Sequence, residues 1–172
     1  MEEVYKAVET AINISVEAHS GQKDETGHPY ILHPLRVMSR FNNPYKQIVA
    51  VLHDVIEDTE VTEETLRDFG IPELAIEAID LLTRKISNNS MGQTYDEYIQ
   101  RILDWPREDT EARDIAIAVK LADLEDNMSP WRNYDTIASY DKKGLKRVAR
   151  YRKAWNKLKG LVSQKEITKA SL

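Results

Sequence analysis

His53 and Asp54 stand side by side inside an apolar run, Ala50-Val51-Leu52-His53-Asp54-Val55-Ile56, and Glu57 and Asp58 follow at once. Ionisable groups set among Val51, Leu52, Val55 and Ile56 are costly to bury unless they are paired or bound to a metal ion. A helix from about Tyr45 to Asp58 would stack His53 with Glu57 and Asp54 with Asp58, because side chains four apart share a face. The alternative is a buried histidine paired with its neighbour, with the two acids solvated at a helix end. Four ionisable groups in so apolar a frame favour a metal site. The chemistry it would serve is hydrolytic: a bound divalent ion lowers the pKa of water, and a nearby carboxylate takes or steers the proton.

Two further segments offer donors. His33 lies in Tyr30-Ile31-Leu32-His33-Pro34-Leu35-Arg36, where Pro34 fits the first turn of a helix. That end of a helix disfavours a protonated imidazole, and a metal needs the neutral form. His19 and His28 have weaker contexts and are read as non-ligands. Asp123 closes the apolar run Val119-Lys120-Leu121-Ala122, and Asn127 lies one turn further on the same face. An acid near a helix C-terminus is unfavourable unless a cation sits beside it. Two histidines and two aspartates make a nitrogen–oxygen donor set suited to a first-row metal, and hard carboxylates without thiolate favour manganese or magnesium. Lys23, Arg36, Arg84, Lys85, Lys120, Arg147 and Arg150 are candidate cations for an anionic substrate. Lys120 is the most informative, because it directly precedes the Leu-Ala-Asp step.

The elements that must position these groups are almost all helical by their apolar spacing. A first helix carries Val4, Ala7, Ala11, Ile14 and Ala18 on one face, and Gly21 to Pro29 forms a polar loop. Helices follow over about Ile31–Phe41, Tyr45–Asp58, Thr62–Gly70 and Glu73–Lys85. A loop spans Ile86–Gln93, and further helices span about Tyr95–Trp105 and from Asp109 or Thr110 to Asn127. Ser129-Pro130 stops that helix, and Trp131–Tyr140 is irregular. A basic helix from about Lys142 to Leu161 closes the chain. The expectation is a single compact all-α domain of roughly eight helices over residues 1–165, with a frayed tail at 166–172.

Composition bounds the function. The chain has 172 residues, 41% of them hydrophobic, enough for one sizeable core. It has no cysteine, so thiolate metal sites and cysteine nucleophiles are excluded. A formal net charge of −5 argues against general nucleic-acid binding, though not against a small anionic substrate met by a local cluster of cations. No apolar run approaches membrane-spanning length, and the acidic start MEEVYKAVET is unlike a signal peptide. A cytoplasmic protein with no membrane or nucleic-acid partner is expected; its oligomeric state is left open.

Taken together, Ala18-His19-Ser20-Gly21-Gln22, Gly27-His28-Pro29-Tyr30-Ile31-Leu32-His33-Pro34, Val51-Leu52-His53-Asp54-Val55-Ile56-Glu57-Asp58-Thr59, Val119-Lys120-Leu121-Ala122-Asp123 and Asn127-Met128 resemble the HD metal-dependent phosphohydrolases. More narrowly, they resemble the hydrolase domain of the RelA/SpoT alarmone enzymes and their stand-alone relatives. The resemblance spans most of the chain, with no sign of a synthetase domain. It implies that His33, His53, Asp54 and Asp123 bind one Mn2+ ion, and that Glu57 and Asp58 position and activate the attacking water. It places Asn127 on the nucleotide ribose and nominates Tyr151 as a substrate contact, beside the candidate cations Lys23 and Arg147. The implied reaction removes pyrophosphate from the 3′ position of (p)ppGpp, a small-molecule nucleotide. Another HD phosphohydrolase activity, on a nucleoside monophosphate or cyclic nucleotide, and a non-catalytic nucleotide-binding domain are the alternatives. Two departures stand out. Asp24 takes the place of an arginine that packs near the base in relatives, which brings adenosine alarmones such as ppApp into consideration. Leu124-Glu125-Asp126 replaces residues that are often basic or aromatic, which would make the pocket rim less cationic.

Overall fold

The computed structural model describes residues 2–85, 93–105, 111–129 and 142–170, with side chains of the last segment described over 144–162. Among these residues it is all-α, with nine helices in the order α1 (Glu2–Ala18), α2 (Leu32–Met38), α3 (Pro44–Leu52), α4 (Val55–Asp58), α5 (Glu63–Asp68), α6 (Glu73–Leu82), α7 (Tyr95–Leu103), α8 (Glu111–Met128) and α9 (Lys142–Ala170). No helix among them is long and apolar enough to cross a membrane. The expected loop over 86–92, the cap at Asp109 or Thr110, the stop at Pro130 and the irregular stretch over 131–140 lie outside the described residues. The closing helix extends past the expected end at Leu161.

The helices form where local chemistry sets their ends. Asn43 caps α3, its side chain accepting from the Lys46 N–H at 3.0 Å, and Pro44 supplies a preset φ in the first turn. Thr62 and Thr65 form a capping box at α5, and Thr94 and Glu97 form another at α7. α3 is the axis of the core. Ile48, Val49, Ala50, Val51 and Leu52 are all fully buried, and α1, α2, α6 and α8 pack around them. A helical run that is apolar on every side, as Ile48 to Leu52 is, has to sit inside the fold rather than on it. α8 packs in turn against α6 and α9.

One expectation is corrected. The stretch from Tyr45 to Asp58 is two helices, not one: His53 ends α3 and Asp54 begins α4, with Asp54 at φ −104° and ψ −6°. The ring of His53 donates from Nδ1 to the Ala50 carbonyl at 2.8 Å. In a continuous helix that carbonyl would take the N–H of Asp54. Side chain competes with backbone, and the helix breaks there.

Candidate active site

The break decides the geometry of the site. In an unbroken helix His53 and Asp54 would point about 100° apart. Here His53 Nε2 comes to 3.1 Å from Asp54 Oδ2. α2 brings in His33, whose Nε2 lies 3.7 Å from Asp54 Oδ2 and 3.2 Å from Asp123 Oδ1. α8 brings in Asp123, whose Oδ1 is 3.6 Å from His53 Nε2. Donor atoms of His33, His53 and Asp123 all lie within 4.8 Å of one another, and all three residues are buried. Asp54 joins them from the break between α3 and α4.

The tautomers follow from what lies behind each ring. A carbonyl only accepts, so His53 carries its proton on Nδ1, and Nε2 presents a lone pair to the cluster. His33 Nδ1 donates to Asp126 Oδ2 at 2.7 Å, which likewise turns its Nε2 inward. His53 Nε2 is buried with no aligned hydrogen-bond partner. Such an atom is explained by a cation among the four side chains. Electrostatics agree. Burial works against a charged His53, but the Asp54 carboxylate, with Asp123, outweighs it and pushes the imidazole up to about 10. A field that holds a proton so firmly attracts a divalent ion more strongly still. Burial also opposes the ionised Asp123, yet Lys120 and the two histidines hold it well below the usual carboxylate range. Lys120 Nζ is 2.8 Å from Asp123 Oδ2 and lies over the Tyr98 ring at 5.2 Å from its centre. Two nitrogens and paired carboxylates in a buried pocket fit a divalent metal.

The cluster forms the floor of a pocket of about 350 Å³. Lys23, Asn127, Arg147 and Tyr151, all named from the sequence, line it together with Glu57, Arg84 and Arg150. Asn127 donates from its amide to Asp123. Arg147 pairs with Glu25 across the mouth, and Arg150 sits 4.8 Å over the Tyr95 ring. Glu57 is exposed at the edge, its Oε2 accepting from the Arg84 backbone N–H at 3.1 Å. Asp58 is also exposed and follows Glu57 at the end of α4. Partial burial, with the neighbouring charges of Asp54 and Glu57, pushes the Asp58 carboxyl upward.

Four features were not expected. Tyr30 donates its hydroxyl to Asp54 Oδ2 and tethers that carboxylate. Glu125 and Asp126 do not form the pocket rim. On α8, residues 120, 123 and 127 line the pocket; 125 lies on the far side of the helix from 123, and 126 sits beside 123 but against α2. Glu125 instead pairs with Arg40 at 2.6 Å and accepts from Trp155 at 2.9 Å, and Asp126 is buried behind His33. Arg36, a candidate substrate cation, binds Asp126 and not the pocket. Asp24 lines the pocket, but its Oδ1 also accepts from Thr26 N at 2.9 Å, Thr26 Oγ1 at 2.6 Å and His28 N at 3.1 Å. It closes a small loop in which Gly21 and Gly27 adopt positive φ. His19 stays outside the cluster as expected, bonded to Gln22 at 2.6 Å and packed on Tyr30.

No protein-family model matches the chain. A GTP pyrophosphokinase of Streptomyces coelicolor is 31% identical over 134 residues, covering 74% of this chain and 15% of that protein. A guanosine-3′,5′-bis(diphosphate) 3′-pyrophosphohydrolase of Aquifex aeolicus is 31% identical over 128 residues, covering 70% of this chain and 17% of that one. The chain thus spans only a small part of the length of these curated relatives. Among solved structures, a metazoan ortholog of SpoT described as hydrolyzing ppGpp superposes with a TM-score of 0.64 at 19% identity, over 88% of this chain and 84% of that one. That likeness confirms the all-helical fold. The sequence similarity, 31% over 70% or more of this chain, carries the assignment further, and the chain belongs to the HD-type RelA/SpoT hydrolase-domain family.

Proposed function

We propose that the chain is a divalent-metal hydrolase, Mn2+-dependent, that removes the 3′-pyrophosphate of alarmone nucleotides, (p)ppGpp or (p)ppApp. The observation that carries this reading is the convergence of two buried histidines and two aspartates at the floor of a cation-lined pocket. The activity named for the pyrophosphohydrolases to which the chain is similar supports it.

His33, His53, Asp54 and Asp123 would hold the ion. When bound, it would supply a water of lowered pKa and offset charge on the phosphate oxygens. Glu57, fixed at the pocket edge by the Arg84 backbone, steers the water. Glu57, which lines the pocket, and Asp58 beside it at the end of α4 would position this water and take its proton. The water oxygen bonds to phosphorus, the bond from phosphorus to the ribose 3′ oxygen breaks, and that oxygen takes a proton. Pyrophosphate and a nucleoside 5′-di- or triphosphate result. Lys23 and Arg147 would take the phosphate charge, Tyr151 would contact the substrate, and Asn127 would meet the ribose.

The test is turnover of ppGpp and ppApp side by side, with and without Mn2+, following nucleotide and pyrophosphate. Pyrophosphate release that requires Mn2+ is expected from at least one of them. Orthophosphate as the product, or no release from metal-loaded protein, would overturn the reading. The ratio of the two rates reports how the loop closed by Asp24 treats the base.

A further inference from the structure

His33 lies between two carboxylates of one helix. Its Nε2 faces Asp123 at 3.2 Å on the cluster side, and its Nδ1 faces Asp126 at 2.7 Å on the other. Asp123 and Asp126 are three residues apart on α8, and His33 and Arg36 are three apart on α2, so two helix faces meet as matched pairs. Asp126 is 4% exposed and lies outside the pocket. Arg36 fixes it with a two-pronged grip, Nε to Oδ1 at 2.9 Å and Nη2 to Oδ2 at 3.1 Å. A guanidinium fork of this kind sets the plane of the carboxylate as well as its place.

We propose that Asp126, clamped by Arg36, is a positioning residue for the metal site: it fixes the tautomer and ring angle of His33 and so sets the affinity of the cluster for its divalent ion. Without a fixed acceptor behind Nδ1, the ring could carry its proton on Nε2 and point it at Asp123, which would close the site to a cation. Partners of this type, behind a ligand histidine, commonly change metal affinity by about 10- to 100-fold when removed. The same three groups could instead serve only as a strut between α2 and α8. A strut would alter stability and leave metal affinity alone.

This inference rests on the metal reading of the site and deepens it. It is tested on the whole chain by titrating metal-free protein with Mn2+, in the absence of any nucleotide. Asp126→Ala should weaken Mn2+ binding by about 10- to 100-fold. Arg36→Met, at a half-exposed position, should weaken it in the same direction and less. The double variant should be no worse than Asp126→Ala alone, because both substitutions act through one group. If Asp126→Ala fails to fold, Arg36→Met carries the test by itself. Wild-type affinity in a folded Asp126→Ala, or in Arg36→Met where that is the only folded variant, overturns the inference. The proposed reaction fails separately: wild-type protein that binds Mn2+ yet releases no pyrophosphate leaves this test intact. Wild-type protein that binds no divalent ion overturns both.

Discussion

At the scale of single residues, function depends on which side chains share one small volume. His53→Ala removes a nitrogen donor from the cluster and should abolish both Mn2+ retention and turnover, read by metal content and pyrophosphate release. Glu57→Gln is the sharper test. The amide keeps the size of the side chain and its bond to the Arg84 backbone but cannot take a proton. Metal content should stay at the wild-type level while kcat drops by about 100- to 10,000-fold; a fully active Glu57→Gln would remove that carboxylate from the chemistry. The sequence already made His33, His53, Asp54 and Asp123 readable, because each breaks an apolar pattern in a way that burial alone does not explain. It did not expose Tyr30 or Asp126. Asp126 stands 93 residues from the ring it holds, among acids that read as solvated, and only the packing of α8 on α2 separates it from its neighbours.

At the scale of elements, the sequence made the helices legible and hid the break within one of them. Hydrophobic period runs through His53 and Asp54 without interruption, because the competing bond comes from the His53 ring to the Ala50 carbonyl, which no pattern of residue types reveals. Pairing between elements carries its own prediction. Arg36 and Asp126 tie α2 to α8. Burial would raise the Asp126 carboxyl, but His33 and Arg36 outweigh it and hold it well below its usual range. A depressed carboxylate stabilises the fold above its unfolded pKa of about 4 and loses that contribution as pH falls through the lower folded value. Asp126→Asn should therefore be less stable than wild type by about 1–3 kcal/mol near neutral pH, with Arg36 half-exposed and part of the interaction screened. The deficit should shrink only below about pH 4. Urea denaturation of metal-free protein at a series of pH values measures it. A deficit that is constant down to strong acid would mean the carboxylate charge contributes nothing to the tie.

At the scale of the whole molecule, net charge and local charge point in opposite directions. The chain carries −5 overall, whereas one pocket balances Lys23, Arg84, Lys120, Arg147 and Arg150 against Asp24, Glu25, Asp54, Glu57 and Asp123, and a divalent ion at the cluster would make it positive. Part of the acidic excess lies on a separate surface around Arg67, with Glu63, Glu73, Glu77 and Asp80. A polyphosphate approaching such a molecule is repelled by most of it and drawn to one opening, which favours productive encounters over loose association. The attraction acts through water near the mouth, where salt screens it over about 10 Å at 0.1 M. The cluster of His33, His53, Asp54 and Asp123 lies deeper, and its buried members are screened far less. Raising KCl from about 0.05 to 0.5 M at fixed Mn2+ should therefore increase KM by roughly tenfold and leave kcat nearly constant. Arg150→Gln, at the mouth, should flatten that dependence in steady-state kinetics without lowering kcat. A KM indifferent to salt would mean that the cations of the mouth are spent on partners such as Glu25, and that recognition rests on the pocket floor alone.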